Sequence, residues 1–283
     1  MSMGSCLEGS WVEPSTNRTF SYRYWTAQDP RALLVVIHGF GEHSGRYQPF
    51  AEALASHHIS VAIPDLWGHG RSEGRRGDIE HVDQYANHVL SMTREVFLPA
   101  SGQQTYALFG HSFGGLVAIL YALRTPPYLQ CLVLQSPFLA VGFPIPSWKT
   151  LSASILATCW PTYSFSMNLD AGALSHDPTI VQAYRADPLV HNVMSARTYC
   201  AFLQARARVM SQAPTCSIPL LMLCGDADRI ISVHAARCWF DQVTSKKQCV
   251  IFPGCYHELH HEAIRNEVVR LIARFILNEQ DTR

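Results

Sequence analysis

The stretch TYALFGHSFGGLVAILYALR, residues 105–124, constrains the fold more than any other part of this chain. Its first half, TYALFGHS, reads as a buried strand, and Phe113–Arg124 reads as a helix stopped by Pro126 and Pro127. Only Gly110-His111-Ser112-Phe113-Gly114 joins them. A strand that turns this sharply into a helix lifts the central serine above the sheet edge. The flanking glycines leave room for strand and helix to approach closely. A serine hydroxyl is a poor nucleophile unless it is exposed and set beside a base. Ser112 is therefore the candidate nucleophile. The Phe113 amide, opening the helix, is a candidate oxyanion donor.

Other apolar runs fall into the same alternation. ALLVVIHG (32–39), ISVAIPD (59–65), QCLVLQSP (130–137), PLLMLCGD (219–226) and QCVIFPG (248–254) read as strands. Helical patterns lie at Arg46–His57, His81–Phe97 (closed by Pro99), Val233–Val243 and Glu258–Asn278. An N-terminal strand pair is expected around Trp11–Val12 and Thr19–Thr26. Such alternation predicts a mostly parallel sheet covered by helices. It breaks from Phe138 to Met210, where prolines punctuate helix-like pieces and no buried strand is evident. The expected organisation is an α/β core, 1–137 and 212–283, with a helical cap inserted at 138–211.

A serine nucleophile needs a base, and the base needs an acid to orient it. At such strand-to-helix turns the partners follow in the order acid, then base. Gly225-Asp226-Ala227-Asp228-Arg229 follows one late strand, and Pro253-Gly254-Cys255-Tyr256-His257 follows the last. Both lie beyond strand C-terminal ends, where sites of such sheets form. Asp228 is assigned the acid, with Asp226 its rival, and His257, one of fourteen histidines, the base. A second oxyanion donor is expected after an early strand. The Phe40 amide in His38-Gly39-Phe40-Gly41 fills that place.

His257-Glu258-Leu259-His260-His261 also satisfies H-E-x-x-H, a zinc protease pattern. That chemistry needs both histidines on one helical face. Here the first follows a strand and turn, so no metal and no cofactor are expected.

The chain is 48% hydrophobic and 16% charged, enough to fill a core over its 283 residues. Basic and acidic residues number 22 each, so bulk charge argues for no nucleic-acid partner. The longest apolar run, around Leu116–Leu123, lies inside an amphipathic-looking helix and is too short to span a membrane. MSMGSCLEGSWVEPS lacks a basic stretch followed by an apolar core, so no secretory signal is expected. Nine cysteines without paired spacing favour a reducing, cytoplasmic setting.

Several stretches together resemble one family. His38-Gly39-Phe40-Gly41-Glu42-His43-Ser44-Gly45-Arg46-Tyr47 is similar to the HGxGEHSGRY segment of monoacylglycerol lipases and related lysophospholipases. Asp65-Leu66-Trp67-Gly68-His69-Gly70-Arg71-Ser72-Glu73-Gly74 resembles their DxxGHGxSxG segment. Asp187-Pro188-Leu189-Val190-His191 resembles their DPLVH. Gly110–Gly114, Asp228 and His257 fall where that family has its elbow, acid and base. The matches run from about residue 32 to 262. The resemblance implies an α/β-hydrolase fold and a serine hydrolase that cleaves esters of lipid-like substrates, monoacylglycerols or lysophospholipids, through an acyl-enzyme. It further implies that Glu42, Arg46 and His260 line a polar, glycerol-facing end of the pocket, although each is equally suited to a structural hydrogen bond. One departure is Phe113, where many relatives carry Met.

Phe138, Phe143, Ile145, Trp148, Leu151, Ile155, Leu156 and Trp160 make the cap apolar. They are expected to line an acyl tunnel, to touch a membrane surface peripherally, or to pack the cap onto the sheet. The alternatives to a lipid esterase are a general short-chain carboxylesterase and a non-catalytic binding protein on the same fold.

Overall fold

The computed structural model describes residues 5–142, 147–167 and 169–278. Within α/β alternation, strands covered on both faces should read as unbroken apolar runs. The chain opens with an antiparallel pair, β1 (Cys6–Val12) and β2 (Thr19–Trp25). β3 (Ala32–Ile37), α1 (Gln48–Ala55) and β4 (Ile59–Pro64) follow, and every residue of β3 and β4 is buried. α2 (Asp83–Met92) and the short α3 (Leu98–Ser101) lead to β5 (Tyr106–His111), α4 (Phe113–Ala122) and β6 (Leu129–Gln135).

Between β6 and the next core strand come α5 (Ser147–Cys159), β7 (Ser164–Ser166), α6 (Pro178–Ala186), β8 (Val193–Ser195) and α7 (Ala196–Ser211). The core resumes with β9 (Leu220–Gly225), α8 (Val233–Gln242), β10 (Lys247–Phe252) and α9 (Arg265–Leu277). The main sheet has eight strands in the order β1-β2-β4-β3-β5-β6-β9-β10. β1 and β2 pair antiparallel, as do β2 and β4, and the remaining pairs are parallel. One apolar cluster packs on each face. This is the α/β-hydrolase architecture. β5 lies near the middle, so its C-terminal end is enclosed by loops from both sides.

Four expectations change in the structure. The helix opened near His81 does not close at Pro99. It passes through a π turn, Thr93–Phe97, into α3 and ends at Gly102 in the left-handed region. Thr93 donates its hydroxyl to Val89 O at 2.7 Å at the start of that turn. Pro99 falls in a first helical turn, where a missing N–H costs nothing. The helix expected from Glu258 begins only at Arg265, because the Glu258 amide donates to Leu174 O at 2.8 Å and a short 3-10 turn, Leu259–His261, intervenes. α4 is not amphipathic; all ten of its residues are buried, so the apolar run there is core on every side. The inserted segment does carry strands, the antiparallel pair β7–β8. Phe143 and Ile145 lie outside the described residues, as do the side chains of Trp148 and Leu151. Among the described residues no helix is long and apolar enough to cross a membrane.

Candidate active site

Ser112 stands between β5 and α4 with φ 53° and ψ −119°. A left-handed serine costs about 1–3 kcal/mol. The burial of Leu116, Val117, Ile119 and Leu120 just beyond it offsets that, at ~1.5–3 kcal/mol per side chain. Close packing explains the glycines. A Cβ on Gly114 would lie 2.1 Å from Ile37 O, and one on Gly110 would lie 2.5 Å from Gly114 O. The turn is fastened by backbone bonds. Ser112 N donates to Gln135 O at 3.0 Å, and Phe138 N and Gly115 N donate to Ser112 O at 2.8 and 2.9 Å.

The loops after β9 and β10 meet beside this turn. Asp228 Oδ2 lies 2.6 Å from His257 Nδ1, with both side chains almost fully buried. Asp228 Oδ1 accepts from the Ile230 and Ile231 amides at 2.8 and 3.0 Å. Asp226 instead accepts from Gly254 N at 2.6 Å, capping the neighbouring turn. Burial pushes the Asp228 carboxyl up. The His257 imidazole and the two amides outweigh it and hold the group below the usual carboxylate range. The His257 ring packs 4.7 Å from the ring of His111, the residue before Ser112.

The loop after β3 carries the other expected donor, Phe40. Gly41 has φ 79°, and a Cβ there would sit 2.1 Å from His191 O. His191 N donates to Gly41 O at 2.8 Å. The Phe40 ring packs edge-on against Phe113 and Phe202, at 5.6 and 5.3 Å. Among the described residues, the Phe40 and Phe113 amides have no acceptor within the protein.

Glu42 and Arg46 spend their polar atoms on the protein itself. Glu42 Oε1 accepts from Gly39 N at 2.6 Å and from the Tyr47 hydroxyl at 2.7 Å. Arg46 bonds Glu42 Oε2 and makes a two-pronged pair with Glu258 at 2.7 and 2.8 Å. Burial opposes ionisation of Glu42, but Arg46 beside it holds the carboxyl far below its ordinary value. These two residues brace the Phe40 loop. His260 Nδ1 meets Gln135 Nε2 at 2.7 Å, while His260 Nε2 is buried with no partner among the described residues.

The H-E-x-x-H residues do not share a helix. His257 precedes the 3-10 turn with its Nδ1 on Asp228, and both Glu258 oxygens are held by Arg46. The donor atoms that do cluster, within 4.8 Å of one another, belong to Glu258, His260 and His261. A cation there would have to displace the Arg46 guanidinium.

Sequence reasoning gave no role to the polar residues that join these loops: the buried Gln135, Ser136 and His43, and the part-buried Asp187 and Tyr184, which meet His43 and Arg46. The available signals were a glutamine ending an otherwise apolar strand and the place of His43 and Asp187 in two of the family-like segments.

The buried histidines carry a pH prediction. Burial, first of all, depresses His111, His88 and His191 to about 4 each. Their unfolded value is near 6.5. Between these values the unfolded chain binds protons that the folded chain does not. Their stabilisation is therefore complete above about pH 6.5 and is lost as pH falls toward about 4. Each adds at most ~1.4 kcal/mol per pH unit to the slope. Urea midpoints measured from pH 7 to pH 5 should fall steeply; a flat profile in that window would contradict this account.

The family of serine aminopeptidases S33 matches residues 28–264. The monoglyceride lipase of Homo sapiens is 34% identical over 244 residues, 85% of this chain and 80% of its own length. The monoacylglycerol lipase of Mycolicibacterium smegmatis is 31% identical over 262 residues, 91% of this chain and 92% of its own. The crystal structure of the Paleococcus ferrophilus monoacylglycerol lipase is similar with a TM-score of 0.84 at 32% identity, covering 92% of this chain and 99% of that one. The match over residues 28–264 takes in the elbow, the loops that follow the later strands and most of the sheet: the chain belongs to the serine aminopeptidase S33 family and is an α/β-hydrolase of the lipase or esterase type.

Proposed function

We propose that this protein hydrolyses carboxylic esters of monoacylglycerols or lysophospholipids through an acyl-enzyme on Ser112. The observation that carries the reading is the 2.6 Å contact of Asp228 with His257 beside the strained Ser112 turn. Asp228 holds the His257 proton on Nδ1, which leaves Nε2 as the base. Nε2 takes the Ser112 proton as Oγ attacks the ester carbonyl. The Phe40 and Phe113 amides receive the oxyanion. His257 then protonates the leaving alcohol, and the acyl-enzyme is cleared by a water that His257 activates.

The segment 138–211 acts as a cap over the core formed by 1–137 and 212–283. Phe202 of α7 stacks on Phe113 at 4.3 Å, so a cap residue forms an apolar wall beside the nucleophile. Of the three residues tied to the glycerol end, His260 alone keeps a fully buried side-chain polar atom without a partner among the described residues, and it is the one assigned to a substrate hydroxyl. The test is a panel of monoacylglycerols, lysophospholipids and p-nitrophenyl esters of graded chain length. A glycerol or phosphoglycerol ester of a long acyl chain should show the highest kcat/KM. A preference for chains of two to four carbons would replace this reading with a general short-chain carboxylesterase.

The cap exposes Ile155, Trp160 and Tyr163, with the Trp160 and Tyr163 rings 5.5 Å apart. These residues are the proposed contact with a lipid surface. Ile155→Ser combined with Trp160→Ser should weaken co-sedimentation with phosphatidylcholine vesicles about tenfold. Equal binding by the two proteins would sink the idea.

A further inference from the structure

Two neighbouring residues touch both halves of the candidate chemistry. Gln135 ends β6, in register with His111 at the end of β5. Its carbonyl accepts the Ser112 amide at 3.0 Å. Its side-chain amide donates to His111 Nδ1 at 3.0 Å and to His260 Nδ1 at 2.7 Å. Ser136 follows with φ 45°, so the chain turns directly toward the opposite loop. Ser136 N donates to Leu223 O of β9 at 2.8 Å, and Ser136 Oγ donates to His257 O at 2.9 Å. Both residues are fully buried.

We propose that Gln135 and Ser136 form a positioning clamp that sets the separation of Ser112 and His257. The clamp rests on the triad reading above. Its logic is that the two reacting residues come from distant parts of the chain, and among the described residues no bond between their own backbones fixes their spacing. The dipeptide supplies that link. The carbonyl of Gln135 holds the backbone of the nucleophile, and the hydroxyl of Ser136 holds the backbone of the base. The Gln135 amide, as donor to both Nδ1 atoms, also keeps His111 and His260 protonated on Nε2. A buried glutamine at the end of an apolar strand is costly unless its hydrogen bonds are made, and an aliphatic residue would fill the same space. Here both bonds of the amide nitrogen go to the residue before the nucleophile and to the loop that carries the base, while Gln135 Oε1 is buried with no partner among the described residues.

Neither residue reaches the reacting atoms, so the clamp acts through position. A shift of the base should hurt most where His257 must protonate a poor leaving group. A glycerol alkoxide needs that proton; a p-nitrophenolate departs without it. The experiment uses the full chain with Gln135→Met, which keeps the volume, and Ser136→Ala, which removes a single oxygen and stands even if the first variant does not fold. Active sites are counted by the extent of fluorophosphonate labelling. Each variant should lower kcat per site on a monoacylglycerol about 10–100-fold with KM within about twofold. The loss on a p-nitrophenyl ester should be at least about threefold smaller. Unchanged kcat per site, or equal loss on both esters, overturns the clamp even if the melting temperature falls. If the wild-type protein is labelled at a residue other than Ser112, or is not labelled, the triad reading fails and the clamp falls with it. A labelled wild type with unchanged variants overturns the clamp alone.

Discussion

Ser112→Ala is expected to lower ester hydrolysis by ~10⁴–10⁶-fold and to abolish fluorophosphonate labelling, with the fold retained. The fold should survive because the hydroxyl takes no part in fastening the turn. The bonds at Ser112 run from its amide to Gln135 O and to its carbonyl from Phe138, Gly115 and Leu116. Alanine at φ 53° meets the same backbone strain as serine, so no new cost enters. What disappears is the oxygen proposed to carry the acyl group. The residual rate should come from the Phe40 and Phe113 amides and from substrate binding. Circular dichroism and melting temperature would verify the fold, and kcat/KM on the best ester of the panel would give the loss. A variant within tenfold of wild type would remove Ser112 from the chemistry and open the case for a binding protein.

The second large effect is expected at Asp228. Asp228→Asn should reduce kcat by ~10⁴-fold, whereas Asp226→Asn should stay within about threefold. The geometry explains the difference. In Asp228→Asn the side-chain oxygen would still accept from the Ile230 and Ile231 amides. The other terminal atom, now an N–H donor, would face His257 Nδ1, where Asp228 Oδ2 sat at 2.6 Å. Two donors cannot share that contact, so the His257 proton moves to Nε2. The imidazole then presents a proton to Ser112 in place of a lone pair. Among the described residues Asp226 holds only the Gly254 amide, and an asparagine oxygen does the same work. Steady-state kinetics on both variants decides the matter; a severe loss at Asp226 with a mild one at Asp228 would reverse the assignment.

How far these features were legible differs by kind. The strand-to-helix turn at Ser112 was visible because steric demands there are local: two glycines, an apolar strand before and an apolar helix after. The sheet was visible because β3, β4, β5 and β9 are buried on both faces and so carry unbroken apolar runs. Helix ends were less legible. Pro99 reads as a stop, yet a π turn places it where proline is tolerated. Glu258 reads as the start of a helix, yet its amide is taken by Leu174, far away in the chain.

By itself the sequence determined the turn that presents Ser112, and the order in which an acid and a histidine follow it beyond the ends of later strands. These depend on φ/ψ limits and on burial periodicity, which act over a few residues. Only the tertiary structure brought Asp228 and not Asp226 to His257, turned Glu42 and Arg46 inward as a brace, and set Gln135 and Ser136 across the gap between Ser112 and His257. Those choices are hydrogen-bond pairings between segments as far apart as 212 residues, as for Arg46 and Glu258. A polar side chain selects such a partner by distance and angle, and those are fixed only when the strands have taken their register.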